Sequence, residues 1–246
     1  MPKISLANCK QPPPKDLRKE WAHRARGNWR HSVWAEASSS EEAFRASGER
    51  DYGRYVRKFL SALGIDPANQ VALEIGCGAG RVSEFLSRDF RGLVAVDVSK
   101  EMLLIGRKRV EAKNTLWLCN DGTNLNAISD ASVDFVFSHS VFQHISTAGA
   151  VANYVKEAAR VLRASGWFVF QVMNQPHLPA GAWRATLIVS HRFRIPRIRI
   201  YRADVLEACP IRMGILRKAC ADSDLEIFRI LHRFTQNTWI WARKAT

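Results

Sequence analysis

The chain has no long apolar run, and none of its stretches reaches the ~18 residues that mark a membrane-spanning helix. Met1 to Lys15 lacks the apolar core of a secretory leader. Cysteine is scarce and unpatterned: Cys9, Cys77, Cys119, Cys209 and Cys220 are five in number, and no two have C-x-x-C spacing. That argues against a zinc ribbon or a disulfide framework and fits a reducing compartment. The expected location is therefore cytoplasmic, with peripheral contact to the inner face of the membrane as its extension. A composition of 47% hydrophobic and 24% charged residues excludes a disordered or collagen-like chain. For 246 residues the expectation is one domain with additions.

Acid is in short supply, and unevenly so. The net charge is +14, but residues 32–180 hold sixteen basic and sixteen acidic groups. Residues 1–31 carry eight Lys/Arg against two Asp/Glu, and residues 181–219 carry nine against two. Two separate basic segments thus flank a neutral centre, an arrangement that suits an anionic partner.

The hydrophobic pattern divides the chain. Asp16–His31 reads as a basic helix with Trp21 and Trp29 as its large apolar residues. A helical spacing runs from Phe44 to Leu63, with Gly48 and Gly53 as points where it breaks. From Val71 the rhythm changes to short apolar strands alternating with helices: strands at 71–75, 93–97, 115–119, 133–137 and 167–173, helices at 81–88, 99–113 and 148–163. Ser165-Gly166 reads as the stop signal of the last of these helices. A helix at 211–221 and two close strands at 225–232 and 238–242 follow, the strands suggesting an antiparallel hairpin at the sheet edge. The pattern is that of an α/β fold whose parallel sheet is covered on both faces.

The first strand runs into Gly76-Cys77-Gly78-Ala79-Gly80. Glycines there let the backbone turn tightly and approach a ligand with no Cβ in the way. Glu74 lies two residues before the loop, and Asp97 ends the next strand, 17 residues after Gly80. An acid at that place suits ribose hydroxyls. The G-x-G-x-G spacing lacks the third glycine of a dinucleotide site, and no Lys-Ser/Thr pair makes a P-loop. With these residues the sequence resembles the class I S-adenosylmethionine-dependent methyltransferases, in particular the type 11/25 group of small bacterial enzymes. The resemblance rests on Leu-Glu-Ile-Gly-Cys-Gly-Ala-Gly-Arg at 73–81, Val-Asp-Val-Ser-Lys-Glu-Met-Leu at 96–103 and Asn-Asp-Gly at 120–122. It continues with Asp-Phe-Val-Phe-Ser at 134–138 and Arg-Val-Leu-Arg-Ala-Ser-Gly-Trp at 160–167.

The resemblance implies a Rossmann-like, seven-stranded, mostly parallel sheet with a C-terminal antiparallel hairpin, and S-adenosylmethionine as cofactor. It places Gly76, Gly78 and Gly80 under the methionine arm, Glu74 at its ammonium and Asp97 on the ribose. It puts Met102 beside the adenine, Asp121 on the adenine amino group with Gly122 next to it, and Ser138 with His139 where the sulfonium faces the substrate. His139 and His144 also follow strand four, at the carboxyl end of the sheet where such folds bind ligands. An imidazole there suits proton transfer at neutral pH, so His144 is the candidate base, with His139 a second candidate that lines the cofactor pocket. Their five-residue separation is poor for sharing a metal from one helix face, and no metal is expected. Ser-His-Ser-Val-Phe stands where methyltransferases of exocyclic base amines often carry Asn/Asp-Pro-Pro-Tyr/Phe, and no cysteine lies near for cytosine-C5 chemistry.

Residues 1–40 form the expected basic N-terminal arm or helical lid, and 41–246 the methyltransferase domain, with a basic insertion at about 174–202. Within that insertion, His191 to Arg202 hold five arginines and no acid. Basic and apolar residues so interleaved fit a lid over an anionic or lipid-like acceptor, or contact with an acidic membrane. The leading expectation is methyl transfer to an oxygen or nitrogen of a small-molecule or lipid-linked acceptor. An RNA methyltransferase and a non-catalytic cofactor-binding partner subunit are the alternatives, RNA being disfavoured because no RNA-binding module is appended.

Overall fold

Strand residues of alternate parity feed two separate cores, and that alternation defines the architecture. The computed structural model describes residues 16–145, 147–174, 211–233, 235 and 237–246. Seven strands form one sheet: β1 (Val71–Ile75), β2 (Gly92–Asp97), β3 (Thr115–Cys119), β4 (Val133–Ser138), β5 (Leu162–Val172), β6 (Leu225–Leu231) and β7 (Thr238–Lys244). Their order is β3-β2-β1-β4-β5-β7-β6. The first five pair in parallel, and β7 runs antiparallel to both β5 and β6. The sheet is thus mostly parallel with an antiparallel C-terminal hairpin, and the hairpin's second strand lies inside it, between β5 and β6.

Leu73, Ile75, Val96, Val136, Phe168, Phe170 and Ile240 face one core, packed by α7 (Ala148–Val161) and α8 (Met213–Ala221). Ala72, Leu93, Ala95, Phe135, Phe137, Trp239 and Trp241 face the other, under α3 (Glu41–Tyr52), α4 (Lys58–Leu63) and α5 (Ser83–Asp89). A strand buried on both faces must be apolar at both parities, and the runs in β1, β2 and β4 satisfy this. A third, smaller cluster joins Ala25, Phe44, Ala79 and Met102 with Trp21, Trp29, Val33 and Trp34. It sets α1 (Leu17–Arg26) and α2 (Trp29–Val33) on the glycine loop and on α6 (Lys100–Arg109).

Several boundaries differ from the sequence expectation, each for a local reason. The single basic helix over 16–31 is two helices, because Asn28 caps α2 by accepting from the His31 N–H at 3.2 Å. The 44–63 helix is interrupted by a π turn at Gly53–Arg57 and continues through it. Helix 81–88 begins at Ser83, once the glycine-loop turns are complete. The expected stop at Ser165-Gly166 falls inside β5: α7 ends at Val161 and the strand begins at Leu162, with a register shift against β4. Residues 1–15 of the arm and residues 175–210, which include most of the basic insertion at about 174–202, lie outside the described residues.

Gly48, within α3, marks a close backbone approach. A Cβ there would lie 2.0 Å from the Arg81 carbonyl oxygen. Gly48→Ala is therefore expected to destabilise by about 2–3 kcal/mol through overpacking, lowering Tm by several degrees in a thermal melt. Gly149→Ala, in the first turn of α7 with nothing within 4 Å of its Cβ position, is expected to leave Tm unchanged or raised, as the better helix former.

Candidate active site

The carboxyl ends of β1, β2 and β4 meet at the glycine loop. The Gly76 and Cys77 N–H groups donate to the Val96 carbonyl at 2.8 and 3.0 Å, and the Gly78 N–H donates to Asp97 Oδ2 at 2.8 Å. The loop is thereby tied to β2. Gly76, Gly78 and Gly80 all have positive φ, +72°, +53° and +76°. At Gly76 the requirement is double: besides its left-handed backbone, a Cβ would lie 2.2 Å from Val141 Cγ2.

Two carboxylates frame the loop. Asp97, partly exposed at the end of β2, accepts from the Ser99 N–H at 2.9 Å through its other oxygen. Burial raises its pKa, opposed by the Ser99, Gly78 and Val98 N–H groups. Glu74 is buried and accepts from the Ser83 hydroxyl at 2.5 Å. Burial pushes its carboxyl up to about 7, against the pull of the Ser83 hydroxyl and the Arg81 charge.

Met102 is fully enclosed on α6, within the cluster that includes the N-terminal tryptophans. Asp121 is exposed, and its carboxylate is engaged locally: it accepts from the Thr123 N–H at 2.8 Å, the Thr123 hydroxyl at 2.7 Å and Asn124 Nδ2 at 3.0 Å. Those bonds, the Thr123 hydroxyl foremost, hold it below the usual carboxylate range. Gly122, at φ +82°, donates to Asn120 Oδ1. Ser138 is buried at the end of β4, its hydroxyl donating to the Ile75 carbonyl at 3.2 Å.

The two histidines occupy different surroundings. The His139 side chain is 6% exposed, ringed by Trp34, Tyr55, Phe137 and Trp239, with Nδ1 3.3 Å from Arg81 Nη2. Burial and the Arg81 charge hold its pKa well below the usual imidazole value. His144 lies in the short 3-10 turn Phe142–His144 and meets the edge of Trp21, ring centroids 5.5 Å apart. A relay of amides leads to it. The Ser140 N–H donates to Gln171 Oε1 (2.9 Å), Gln171 Nε2 donates to Gln143 Oε1 (3.2 Å), and Gln143 Nε2 lies 3.4 Å from His144 Nε2. Among the described residues no group of three or more His, Cys, Asp or Glu is placed to hold a metal ion, and no helix is long and apolar enough to cross a membrane.

Sequence reasoning missed the residues that hold these groups. Arg81 is buried and donates to Asp51 Oδ2 at 2.7 Å and to the Ser47 hydroxyl at 3.3 Å, with the Trp34 ring 4.3 Å away. Arg109 donates to the Ala79 carbonyl at 2.7 Å and pairs with Glu41 of α3. A buried arginine needs a paired carboxylate, so Arg81 carried a signal, but nothing in the sequence indicated Asp51 on a preceding helix. Gln171 carried none.

A sheet of this order, with a glycine loop after β1 and an acid closing β2, defines the class I S-adenosylmethionine-dependent methyltransferase fold. Residues 73–170 match the family described as a methyltransferase domain, and over that stretch the chain is similar to S-adenosylmethionine-dependent methyltransferases. A malonyl-[acyl-carrier protein] O-methyltransferase of Marinomonas sp. is 31% identical over 133 residues, 52% of this chain and 47% of that protein. A probable fatty acid methyltransferase of Pseudomonas putida is 26% identical over 183 residues, 69% of this chain and 44% of its own length. The chain thus spans about half the length of these curated relatives. Among solved structures, magnesium protoporphyrin IX methyltransferase from Synechocystis with bound SAH superposes with a TM-score of 0.63 at 16% identity, covering 93% of this chain and 98% of that one. At that identity the likeness speaks to the fold alone.

The Glu74 carboxyl gives a pH prediction. The folded state holds this proton more tightly than the unfolded chain, whose carboxyl titrates near 4.5. Its contribution to stability is thus fully present below about 4.5 and is lost as pH rises to about 7. Glu74→Gln abolishes that dependence. The ligand-free variant is expected to gain on the wild type as pH goes from about 5 to 8, by up to about 3 kcal/mol, read as Tm against pH.

Proposed function

We propose that this protein transfers a methyl group from S-adenosylmethionine to an anionic, lipid-like or acyl-chain-bearing acceptor, through oxygen or nitrogen. The observation that carries the cofactor half is the union of the glycine loop with Asp97: a side-chain-free backbone and a partly exposed carboxylate meet at the carboxyl ends of β1 and β2. The donor set fits the cofactor. Gly76, Gly78 and Gly80 leave room for the methionine arm, and the buried Glu74 carboxyl suits its ammonium. Asp97 keeps acceptor capacity for ribose hydroxyls beyond its bonds from the Gly78 and Ser99 N–H groups. Met102 walls the adenine side, with Asp121 and Gly122 at the end of β3.

Bound there, the cofactor would supply an electrophilic methyl carbon on a sulfonium, whose sulfur keeps the S–C bond electrons and leaves as a neutral thioether when the acceptor oxygen or nitrogen takes the methyl group. The chain's own task is to place the acceptor and exclude water. The N-terminal helices suit the second part, since Val33 lies 3.6 Å from the Cβ position of Gly78. For a carboxylate acceptor no base is needed, because the oxygen is already ionised. For a protonated acceptor, His144 is the base we assign. The acyl character of the acceptor is supported by the names of the two curated relatives above, and its negative charge by the net +14.

Two measurements test this reading. Asp97→Ala is expected to weaken S-adenosylhomocysteine binding about a hundredfold or more, as charged hydrogen bonds are lost, while a cooperative melt persists; unchanged affinity in calorimetry sinks the site. Purified protein, labelled-methyl cofactor and cell extract, separated into organic-soluble, RNA, protein and polar pools, then report the acceptor. Label in the organic-soluble pool is expected, and label in RNA overturns the acceptor class.

A further inference from the structure

Arginine donates hydrogen bonds and accepts none. The approach of Arg81 Nη2 to His139 Nδ1, at 3.3 Å, therefore has one favourable form, with a lone pair on Nδ1 and the proton on Nε2. A proton on Nδ1 would set two donors, and two positive charges, against each other. Arg81 has no freedom to retreat, because its side chain is 6% exposed, Asp51 Oδ2 accepts from it at 2.7 Å, and Trp34 stacks beside it. Asp51 itself is 3.8 Å from His139 Nδ1, but its charge is already spent on the guanidinium. The other neighbours of the imidazole are Trp34 from the segment after α2, Tyr55 from the π turn, Phe137 from β4 and Trp239 from β7. None of these four carries charge at neutral pH. Among the described residues, Arg81 and Asp51 are the charged groups shown facing this ring.

We propose that Arg81, anchored by Asp51, is a positioning residue that fixes His139 as its neutral Nε2–H tautomer, so that the end of β4 offers the acceptor a standing hydrogen-bond donor and not a base. The inference rests on the methyltransferase reading for its purpose, though not for its geometry. It divides the work of the two histidines. Proton abstraction, where an acceptor needs it, is left to His144, and His139 orients an acceptor oxygen. Because Asp51 belongs to α3, the state of a ring at the end of β4 is set from the helical segment that precedes the sheet.

The test uses the full chain with 15N-labelled histidine and two-bond ring correlation spectra, which distinguish the tautomers. His139 is assigned among the seven histidines by its loss in His139→Gln. In the wild type the Nε2–H pattern is expected to persist from about pH 5.5 to 8, whereas a free imidazole titrates near 6.5. In Arg81→Met the repulsion is gone and Asp51 faces Nδ1 without its partner. His139 should then take a second proton and titrate above the usual range. In Asp51→Asn it should stay neutral. An Nδ1–H tautomer in the wild type, or a midpoint near 6.5 there, overturns the proposal, and the wild-type spectra decide even where Arg81→Met fails to fold. With the organic-soluble pool as acceptor and cofactor at saturation, His139→Phe should lose at least about tenfold in label transfer, and His139→Gln should restore part of it. Equal transfer in wild type and His139→Phe would also overturn it. If the wild type does not bind S-adenosylhomocysteine, the methyltransferase reading fails, whatever the tautomer.

Discussion

A buried charge organises this molecule. The Arg81 guanidinium lies within the fold immediately after the glycine loop, and the energy of keeping it there is recovered only through its carboxylate partner and further hydrogen bonds. Asp51 and Ser47, both on α3, supply these. The helix is therefore fixed against the loop by side chains, while Gly48 lets the same helix come down on the Arg81 backbone. Direct backbone approach and the ion pair specify one another, since neither is reachable with α3 shifted by a turn. Trp34 and His139 then take their positions around the guanidinium.

The glycine loop has a similar dual dependence. Its first N–H groups are held by the end of β2, and Gly78 is held by the Asp97 carboxylate. The same carboxylate, through Ser99, marks the start of α6. Loop, second strand and following helix share one side chain, so the shape of the loop and the acceptor capacity at its mouth cannot be varied separately.

Much of this was legible in the sequence. Doubly apolar strands identify a buried parallel sheet without any knowledge of contacts, and the ordered motifs from Leu73 to Trp167 identify which sheet. Two close strands at the C-terminal side indicated a hairpin, though not that β7 enters between β5 and β6, which depends on long-range pairing. Helix limits failed where a side chain decided them, as at Asn28, or where a helix changed pitch without stopping, as at Gly53. Of the site, the backbone-determined parts were readable: glycines with positive φ and acids at strand ends. The supporting residues were not. Asp51, Gln171 and Arg109 look like ordinary surface or strand residues in one dimension, and only the fold brings them to the loop.

The place of β7 also bears on how the chain reaches its final state. Trp239 of this strand stacks on Tyr55 at 4.0 Å and packs beside His139, while Ile240 and Ala242 complete the opposite core. The element synthesised last among those described thus takes an interior place in the sheet, one strand from its edge, and touches a helical segment made nearly two hundred residues earlier. On the ribosome, the nascent chain waits with β5 unpaired along one edge until β7 has emerged. An apolar strand edge kept open for that interval is a place for premature association, so the pairing of β7 closes that edge as well as forming a wall of the site.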